Sequence, residues 1–276
     1  MKEENHAAYE RVRRARSVDR MRIRQMIDAL FEDFIELQGD RLSAEDPSIL
    51  GGIASFHGIP VTVIGHRRGQ TLEENLACNF GMPRPAGFRK ALRLMKQAEH
   101  FSRPVITFVD TPGAYPGQEA ESGGQAAAIA ECLAAMSTLR TPVIAVIIGE
   151  GESGGALALA VADRIFMLEN AVYGVISPEG FASILWKDSG RAAEAGELMR
   201  LTAQELLEDG LIDRIIPEKD LFHSLDGALR EALEELMALD PELFPGRRYL
   251  KFRKMDGLYR LQRRDSQTTG GNGAEA

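Results

Sequence analysis

The stretch Gly149-Glu-Gly-Glu-Ser-Gly-Gly155 concentrates the residue types most able to do chemistry in this sequence. It follows the apolar run Thr141 to Ile148 and precedes the apolar run Ala156 to Ala162, so the pattern predicts a buried strand, a glycine loop and a helix opening on that loop. Amides at the start of a helix lack intrahelical acceptors and favour negative charge, which makes such a loop an anion-stabilising device. Several readings fit it. Gly149, Gly151 and Gly154 satisfy the dinucleotide fingerprint G-x-G-x-x-G, with Glu169 about 20 residues on, although the helix is short and no hydride-transfer partner stands out. Gly151-Glu-Ser153-Gly-Gly155 satisfies G-x-S-x-G, and Asp163 or Asp188 followed by His223 would complete a nucleophile, acid, base order, with Ser153 as a plain helix N-cap the simpler alternative. The third reading needs no side chain: paired amides of Gly154 and Gly155 stabilise an enolate or ureido oxyanion directly, glycine allowing close approach of a flat ligand. A turn that needs glycine for packing alone is the fourth.

The elements that must position this segment follow from hydrophobic period. From Val18 to Leu37, Ile23, Met26, Ile27, Leu30, Phe34 and Leu37 recur at helical spacing and Gly39 stands where a helix would end, which predicts one opening helix. Ile49 to Phe56 and Pro60 to Gly65, separated by His57-Gly58, predict a pair of strands with a tight turn. A unit of helix, buried strand and glycine loop is then used twice. Phe88, Leu92, Met95 and Phe101 mark the first helix, Arg103 to Val109 its strand and Asp110 to Gly117 its loop; Ala126 to Met136, Thr141 to Ile148 and Gly149 to Gly155 repeat the order. Short strands at Asp163 to Leu168, Val172 to Ile176 and Asp213 to Ile216 complete a mostly parallel, layered α/β sheet. Leu221 to Leu239 reads as an amphipathic helix and the basic stretch after Pro245 as another, both extensions beyond the core. Ser266 to Ala276 has no apolar content to pack and is expected to be disordered.

Composition excludes several classes. The chain has 276 residues with 33 Lys plus Arg against 41 Asp plus Glu, a formal charge of −8, which argues against a dedicated nucleic-acid binder. Its apolar runs are far shorter than the roughly 20 residues a spanning helix needs, and Met1 to Arg14 has no apolar signal core, so a cytoplasmic protein is expected. Cys78 and Cys132 are too few and too far apart for a zinc site or a disulfide framework and read as packing thiols; no metal is expected in this chain. Both ends are basic, through Arg11 to Arg24 and Arg247 to Lys254, which reads as solvated helix faces or as docking to acidic partners or ligand phosphates.

Five separated motifs in order, Asn79-Phe-Gly-Met-Pro83, Asp110-Thr-Pro-Gly-Ala-Tyr-Pro-Gly117, Gly149 to Leu159, Val175-Ile-Ser-Pro-Glu-Gly180 and Ile184-Leu-Trp-Lys187, closely resemble the carboxyltransferase α subunit of bacterial acetyl-CoA carboxylase. The similarity runs from about Met26 to Pro217 and favours the oxyanion reading over the dinucleotide and hydrolase ones. The resemblance implies an α/β, crotonase-like spiral of repeated strand-strand-helix units with helical N- and C-terminal extensions. It implies a single carboxyltransferase domain over residues 1–264, with its core at about 26–217 and its extension at about 218–264, before the tail at 265–276.

The implied activity is transfer of a carboxyl group from carboxybiotin, carried on a biotin carboxyl carrier protein, to acetyl-CoA, giving malonyl-CoA for fatty-acid synthesis. Biotin is not attached to this chain in that scheme, and ATP belongs to the separate biotin carboxylase. The implied partner is a β subunit that carries a zinc ribbon, in an α2β2 assembly. By resemblance Gly154 and Gly155 supply the oxyanion-hole amides, and Gly113, Ala114, Tyr115, Pro116, Gly117 and Gly151 line the biotin pocket. Arg89, Arg93 and Lys96 share one helix face, which suits CoA phosphates, a partner chain or solvent. The sequence departs from the family at Glu152, where glycine is usual, and at Gly123, where arginine is usual, and its N-terminus is shorter than in many members.

Overall fold

The computed structural model describes residues 7–42 and 44–255. The expected tail at 266–276 lies outside the described residues. Helices α1 (Ala7–Arg16) and α2 (Ile23–Leu30) open the chain. The expected single helix to Leu37 does not form. Phe31 turns extended (φ −125, ψ 148), and Glu32–Glu36 becomes strand β1, antiparallel to β2 (Ile49–Phe56). The helical period was real as far as Leu30, but the backbone beyond it gains cross-strand hydrogen bonds, continued by the Leu37 amide donating to Gly51 O at 2.9 Å. Phe31 itself is buried against Phe56 and Phe108, with ring centroids 5.5 and 6.2 Å away.

Strand β2 returns antiparallel to β3 (Ile59–His66) through the expected turn. After α3 (Leu72–Ala77), α4 (Pro85–His100) packs across β2 and β3 and leads into β4 (Val105–Thr111). The short α5 (Gln118–Ser122) and α6 (Gln125–Thr138) then lead into β5 (Val143–Glu152). The two repeated units lie side by side: β4 and β5 pair in parallel, with Val105 opposite Val143 through Val109 opposite Ile147, and α4 packs on α6. Such near-continuous apolar strands are what a parallel sheet covered on both faces requires.

Helix α7 (Ser153–Leu157) follows, then β6 (Arg164–Leu168) and β7 (Val172–Gly174). Helices α8 (Pro178–Trp186), α9 (Ala192–Leu198) and α10 (Ala203–Glu208) lead to β8 (Arg214–Ile216). The sheet order is β1-β2-β3-β4-β5-β6-β8, with β7 pairing the far end of β5. Helix α11 (Leu221–Met237) and a helix over 244–255, α12, close the described chain.

These last helices belong to the core, contrary to their expectation as extensions. Leu225, Leu229, Leu233, Leu236 and Phe244 are buried in the same apolar cluster as the central strands. The basic ends are internal in part: Arg13, Arg14, Arg24, Arg247, Arg253 and Lys254 are exposed, as solvated helix faces would be, but three arginines are buried. Arg248 is fully buried, its guanidinium bonded to both Asp163 carboxylate oxygens at 2.9 Å and to the carbonyls of Leu139 and Thr141 at 2.9 and 3.0 Å. Those carbonyls end a helix and begin a strand, so one guanidinium satisfies backbone groups that would otherwise be buried unpaired. Arg20 and Arg22 are likewise buried. Sequence shows the charges but not the carboxylates and carbonyls they meet.

Candidate active site

The segment expected to be a loop is strand as far as Glu152. Beyond the end of β6, β7 takes up the pairing, with Glu150 opposite Val172, Gly151 opposite Tyr173 and Glu152 opposite Gly174. Ser153 then adopts φ +61, a left-handed conformation uncommon for serine, and the chain turns into α7, which has only five residues instead of the expected run to Ala162. Ser153 is the first helical residue rather than the N-cap; Glu152 takes the cap position, and its side chain makes no cap bond. So short a helix has little macrodipole, and what remains chemically useful is its first, intrahelically unpaired amides.

The turn that carries them packs against the other glycine loop. Gly113 has φ +132, which favours glycine, and is fixed by Thr111, whose Oγ1 accepts the Gly113 amide at 3.0 Å and donates to its carbonyl at 2.8 Å. The Tyr115 amide donates to Pro83 O at 3.0 Å, and Gln125 Nε2 donates to Pro83 O at 2.7 Å and to Tyr115 O at 3.1 Å. Gly155 lies against this loop so closely that a Cβ there would stand 2.6 Å from Ala114 N and 2.7 Å from Gly113 C. At Gly154 a Cβ would meet only Ile129 Cγ2, at 3.6 Å. Gly154 and Ser153 form one wall of a 680 Å³ cavity whose other walls include Tyr173, Phe181, Leu198 and Phe252. Burial pushes the Tyr173 phenol up to about 12, so it is a neutral donor here.

Behind the turn is a chain of ion pairs, buried at Arg22, Asp110 and Glu150 and partly exposed at Arg68, Arg16 and Glu179. Arg22 bonds Asp110 at 2.6 Å, Arg68 bonds Glu150 at 3.0 Å, and Arg16 bonds Glu150 at 2.6 Å and Glu179 at 2.7 Å. Asp110 Oδ1 accepts the Glu150 amide at 3.2 Å, tying the ends of β4 and β5 together. Glu179 is held down at about 2; burial opposes this, and the bonds from Arg16 and backbone outweigh it. Glu152 is different. It is buried, neither carboxylate oxygen has a hydrogen-bond partner among the described residues, and burial followed by repulsion from Glu150 pushes it up to about 8, so the neutral acid prevails at pH 7.

Of the residues expected from sequence, Gly113, Ala114, Gly154 and Gly155 come together. Tyr115 lies under the Arg84 guanidinium, 4.7 Å from its ring centroid, Gly117 packs beneath the Tyr115 ring, and Pro116 is exposed. Gly151 is buried in the sheet opposite Thr111 and Tyr173, outside the cavity wall. Arg89 pairs with Asp40 at 2.9 Å, and Arg93 donates to Leu37 O and Gly39 O, so both clamp the segment after β1.

The hydrolase arrangement is not assembled. Asp163 is engaged by Arg248, Asp188 accepts the Gly190 amide, and His223 lines a different cavity with Arg20 and Lys219. The dinucleotide reading fails because Gly149 and Gly151 lie within β5, while Glu169 accepts the Glu218 amide at 3.1 Å. Among the described residues no group of three or more His, Cys, Asp or Glu side chains is placed to hold a metal ion, and no helix is long and apolar enough to cross a membrane. Sequence reasoning missed Tyr173, Phe252 and the carboxylates of the ion-pair chain. The one available signal was the excess of arginine before Ile23 set against acids at strand ends.

Residues 3–256 match the family model for acetyl co-enzyme A carboxylase carboxyltransferase-like proteins. The chain belongs to this family. It is 52% identical over 266 residues to the acetyl-coenzyme A carboxylase carboxyl transferase subunit alpha of Listeria welshimeri, covering 93% of this chain and 83% of that one. It is 56% identical over 248 residues to the protein of that name from Streptococcus equi subsp. zooepidemicus, covering 88% and 97%. Among solved structures, transcarboxylase 12S with methylmalonyl-coenzyme A bound aligns at TM-score 0.68 and 20% identity over 82% of this chain, which spans 44% of that chain. A Pseudomonas malonate decarboxylase hetero-tetramer in complex with coenzyme A aligns at 0.63 and 18%, over 80% and 91%. These likenesses establish the α/β, crotonase-like fold of this carboxyltransferase-family chain. Its Glu152 stands immediately before the turn that carries Gly154 and Gly155.

Proposed function

We propose that this chain is the α half of a two-subunit carboxyltransferase, moving a carboxyl group from carboxybiotin, presented by a biotin carboxyl carrier protein, to acetyl-CoA to give malonyl-CoA. The observation that carries the reading is the meeting of the Gly154–Gly155 turn with the Gly113–Ala114 loop, with Gly154 in the wall of the 680 Å³ cavity. The space a Cβ would fill at Gly155 is taken by backbone, and Gly154 is open, so a flat ligand can approach the turn's amides. Their N–H groups donate to an oxyanion that develops on the ureido oxygen, and the Ala114 amide is close enough to join them. Biotin supplies the carboxyl carrier and, once decarboxylated, the base. The protein need only hold amides where charge develops; a single preorganised donor of this kind contributes about 3 kcal/mol, roughly two orders of magnitude in rate.

Gly113 to Gly117, fixed by Thr111, Gln125 and Pro83, form the rim of the biotin pocket in this reading, and Gly151 supports it from within β5. The acyl-CoA oxyanion falls to a zinc-ribbon β subunit, in an α2β2 enzyme that works with biotin carboxylase in the cytoplasm. The shared core of α11, α12 and the sheet supports one carboxyltransferase domain rather than a core with appendages.

The deciding experiment is the reverse reaction, malonyl-CoA plus a free biotin derivative giving acetyl-CoA, run with this chain alone and with its β subunit. Activity confined to the mixture is expected. An associated but inactive complex would overturn the reading.

A further inference from the structure

Tyr173 stands in the middle of β7, opposite Gly151, and the scheme above gives it no part. It lines the 680 Å³ cavity whose wall also holds Ser153 and Gly154. Pockets for small ligands are mostly apolar, with a few polar groups placed to fix orientation. This one fits the pattern, since Ser153, Tyr173 and Arg200 bring the polar side chains of its wall among the described residues. Arg200 is committed elsewhere, its Nε and Nη2 donating to the two Asp209 carboxylate oxygens at 2.9 and 2.8 Å. Two hydroxyls remain. The buried His66 and Glu152 are also unused by the scheme, but neither lines the cavity; burial pushes the His66 imidazole down to about 4 and so holds it neutral.

A missing side chain seats the Tyr173 ring. A Cβ at Gly151 would stand 3.0 Å from Tyr173 Cδ2, 3.3 Å from Ile147 Cγ2 and 3.4 Å from Val109 Cγ1, so glycine there lets the ring lie against β5. The backbone is held separately, by the pairing of β7 with β5 and by the Tyr173 amide, which donates to Leu201 O at 3.0 Å. Ring and backbone are thus fixed while the hydroxyl has no hydrogen-bond or charged partner among the described residues. Burial alone acts on its acidity, which leaves a neutral donor. Unlike the two Glu152 oxygens, it is not among the unpartnered atoms enclosed by protein, so it opens on the cavity that the residue lines. Ser153 is exposed, and a bond from its hydroxyl only replaces one to water. The Tyr173 hydroxyl is sheltered by the apolar wall, where a hydrogen bond is stronger.

We propose that Tyr173 is a substrate-binding residue of the carboxyltransferase site: its hydroxyl donates to the ureido oxygen of the biotin ring held at the Gly154–Gly155 turn, and Gly151 is glycine so that the phenol can take its seat. This inference rests on the carboxyltransferase reading. A cyclic urea presents a carbonyl acceptor at the edge of a flat ring, which suits one fixed donor on an otherwise apolar wall. The ureido oxygen gains negative charge as the carboxyl group leaves, and a bond to a charged acceptor is stronger than one to a neutral carbonyl, so the phenol contributes more in the reaction than in the resting complex.

The test uses the full chain assembled with its β subunit, with biocytin as the biotin derivative, and measures both equilibrium binding and the reverse reaction. Tyr173→Phe keeps the ring on Gly151 and removes only the hydroxyl, which has no partner to lose, so its melting temperature should equal that of the wild type. It is expected to raise the biocytin dissociation constant about fivefold and to lower kcat/KM for biocytin about 10- to 100-fold, with KM for malonyl-CoA unchanged. Gly151→Ala keeps the hydroxyl but pushes the ring by a few tenths of an ångström, and should weaken biocytin in the same direction. Wild-type affinity and kcat/KM for biocytin in Tyr173→Phe would overturn the proposal, as would a lowered melting temperature with KM for both substrates changed alike, the mark of a structural role. Wild-type affinity in a folded Gly151→Ala would overturn the seat assigned to the ring. A wild-type complex that neither turns over nor binds biocytin would overturn the carboxyltransferase reading and this inference with it, whereas an active wild type matched by Tyr173→Phe would overturn the inference alone.

Discussion

Gly155→Ala tests the glycine turn most directly, because its consequence can be worked from a contact. The added methyl would stand 2.6 Å from Ala114 N and 2.7 Å from Gly113 C, whereas ordinary contact begins at 3.4 Å. The neighbours are backbone, so no side chain can rotate away, and the two loops must separate by about 0.8 Å, the shortfall from ordinary contact. An oxyanion donor works at about 2.7–3.1 Å, so a shift of that size removes at least one bond and lowers kcat by roughly 100- to 1,000-fold. Overpacking of this kind costs about 1–3 kcal/mol of stability, which a domain of this size tolerates. The comparison variant is Gly154→Ala, whose methyl meets only Ile129 Cγ2 at 3.6 Å and should leave the fold intact. Gly154→Val, with its larger branched side chain, should block approach to the turn and lower turnover severely without unfolding the chain. The assay is the reverse reaction of the αβ complex, alongside thermal melts of the α chain. Wild-type kcat in a folded Gly155→Ala would refute the reasoning, since it would mean that the contact between the loops has no bearing on where the amides point.

Two further outcomes follow from buried charge. Glu152 titrates at about 8 in the folded chain against an ordinary value near 4.5, so the folded state holds more protons than the unfolded one between those values and stability must fall as pH rises through that window. Glu152→Gln should therefore match the wild type near pH 4 and be more stable by a few kcal/mol at pH 8, read as a widening gap in urea midpoints; parallel curves would show that the carboxyl is not neutral when buried. Arg248→Met removes one member of a fully buried pair and strands the Asp163 carboxylate, which should cost about 3–5 kcal/mol, and adding Asp163→Asn should recover part of it; an unchanged melting temperature in the single variant would contradict the internal role of α12.

The repeated unit was legible because a parallel sheet writes itself as apolar runs: Val105 to Val109 and Val143 to Ile147 were recognisable as strands and pair with each other in register. Gly155 and Gly113 were legible for a related reason, since a position where backbone meets backbone, or one at φ +132, admits few residues besides glycine. Hydrophobic period alone did not reveal where α2 stops. A helix and an edge strand can both bury Phe31 and Phe34, and the choice depends on the unpaired edge of β2, which local sequence does not contain.

By itself the sequence determined the order of elements, the family and the glycines at which chains approach. Only the tertiary structure decided that Gly149 to Glu152 is strand, because β7 lies beyond β6 and supplies its pairing. It also decided that Arg22, Arg20 and Arg248 are internal, since a charge is buried only where a carboxylate from a distant segment meets it, and those partners are 88, 198 and 85 residues away. The same holds for Glu152 and His66. Their protonation follows from the dielectric and the neighbours around them, and those exist only once the chain has folded.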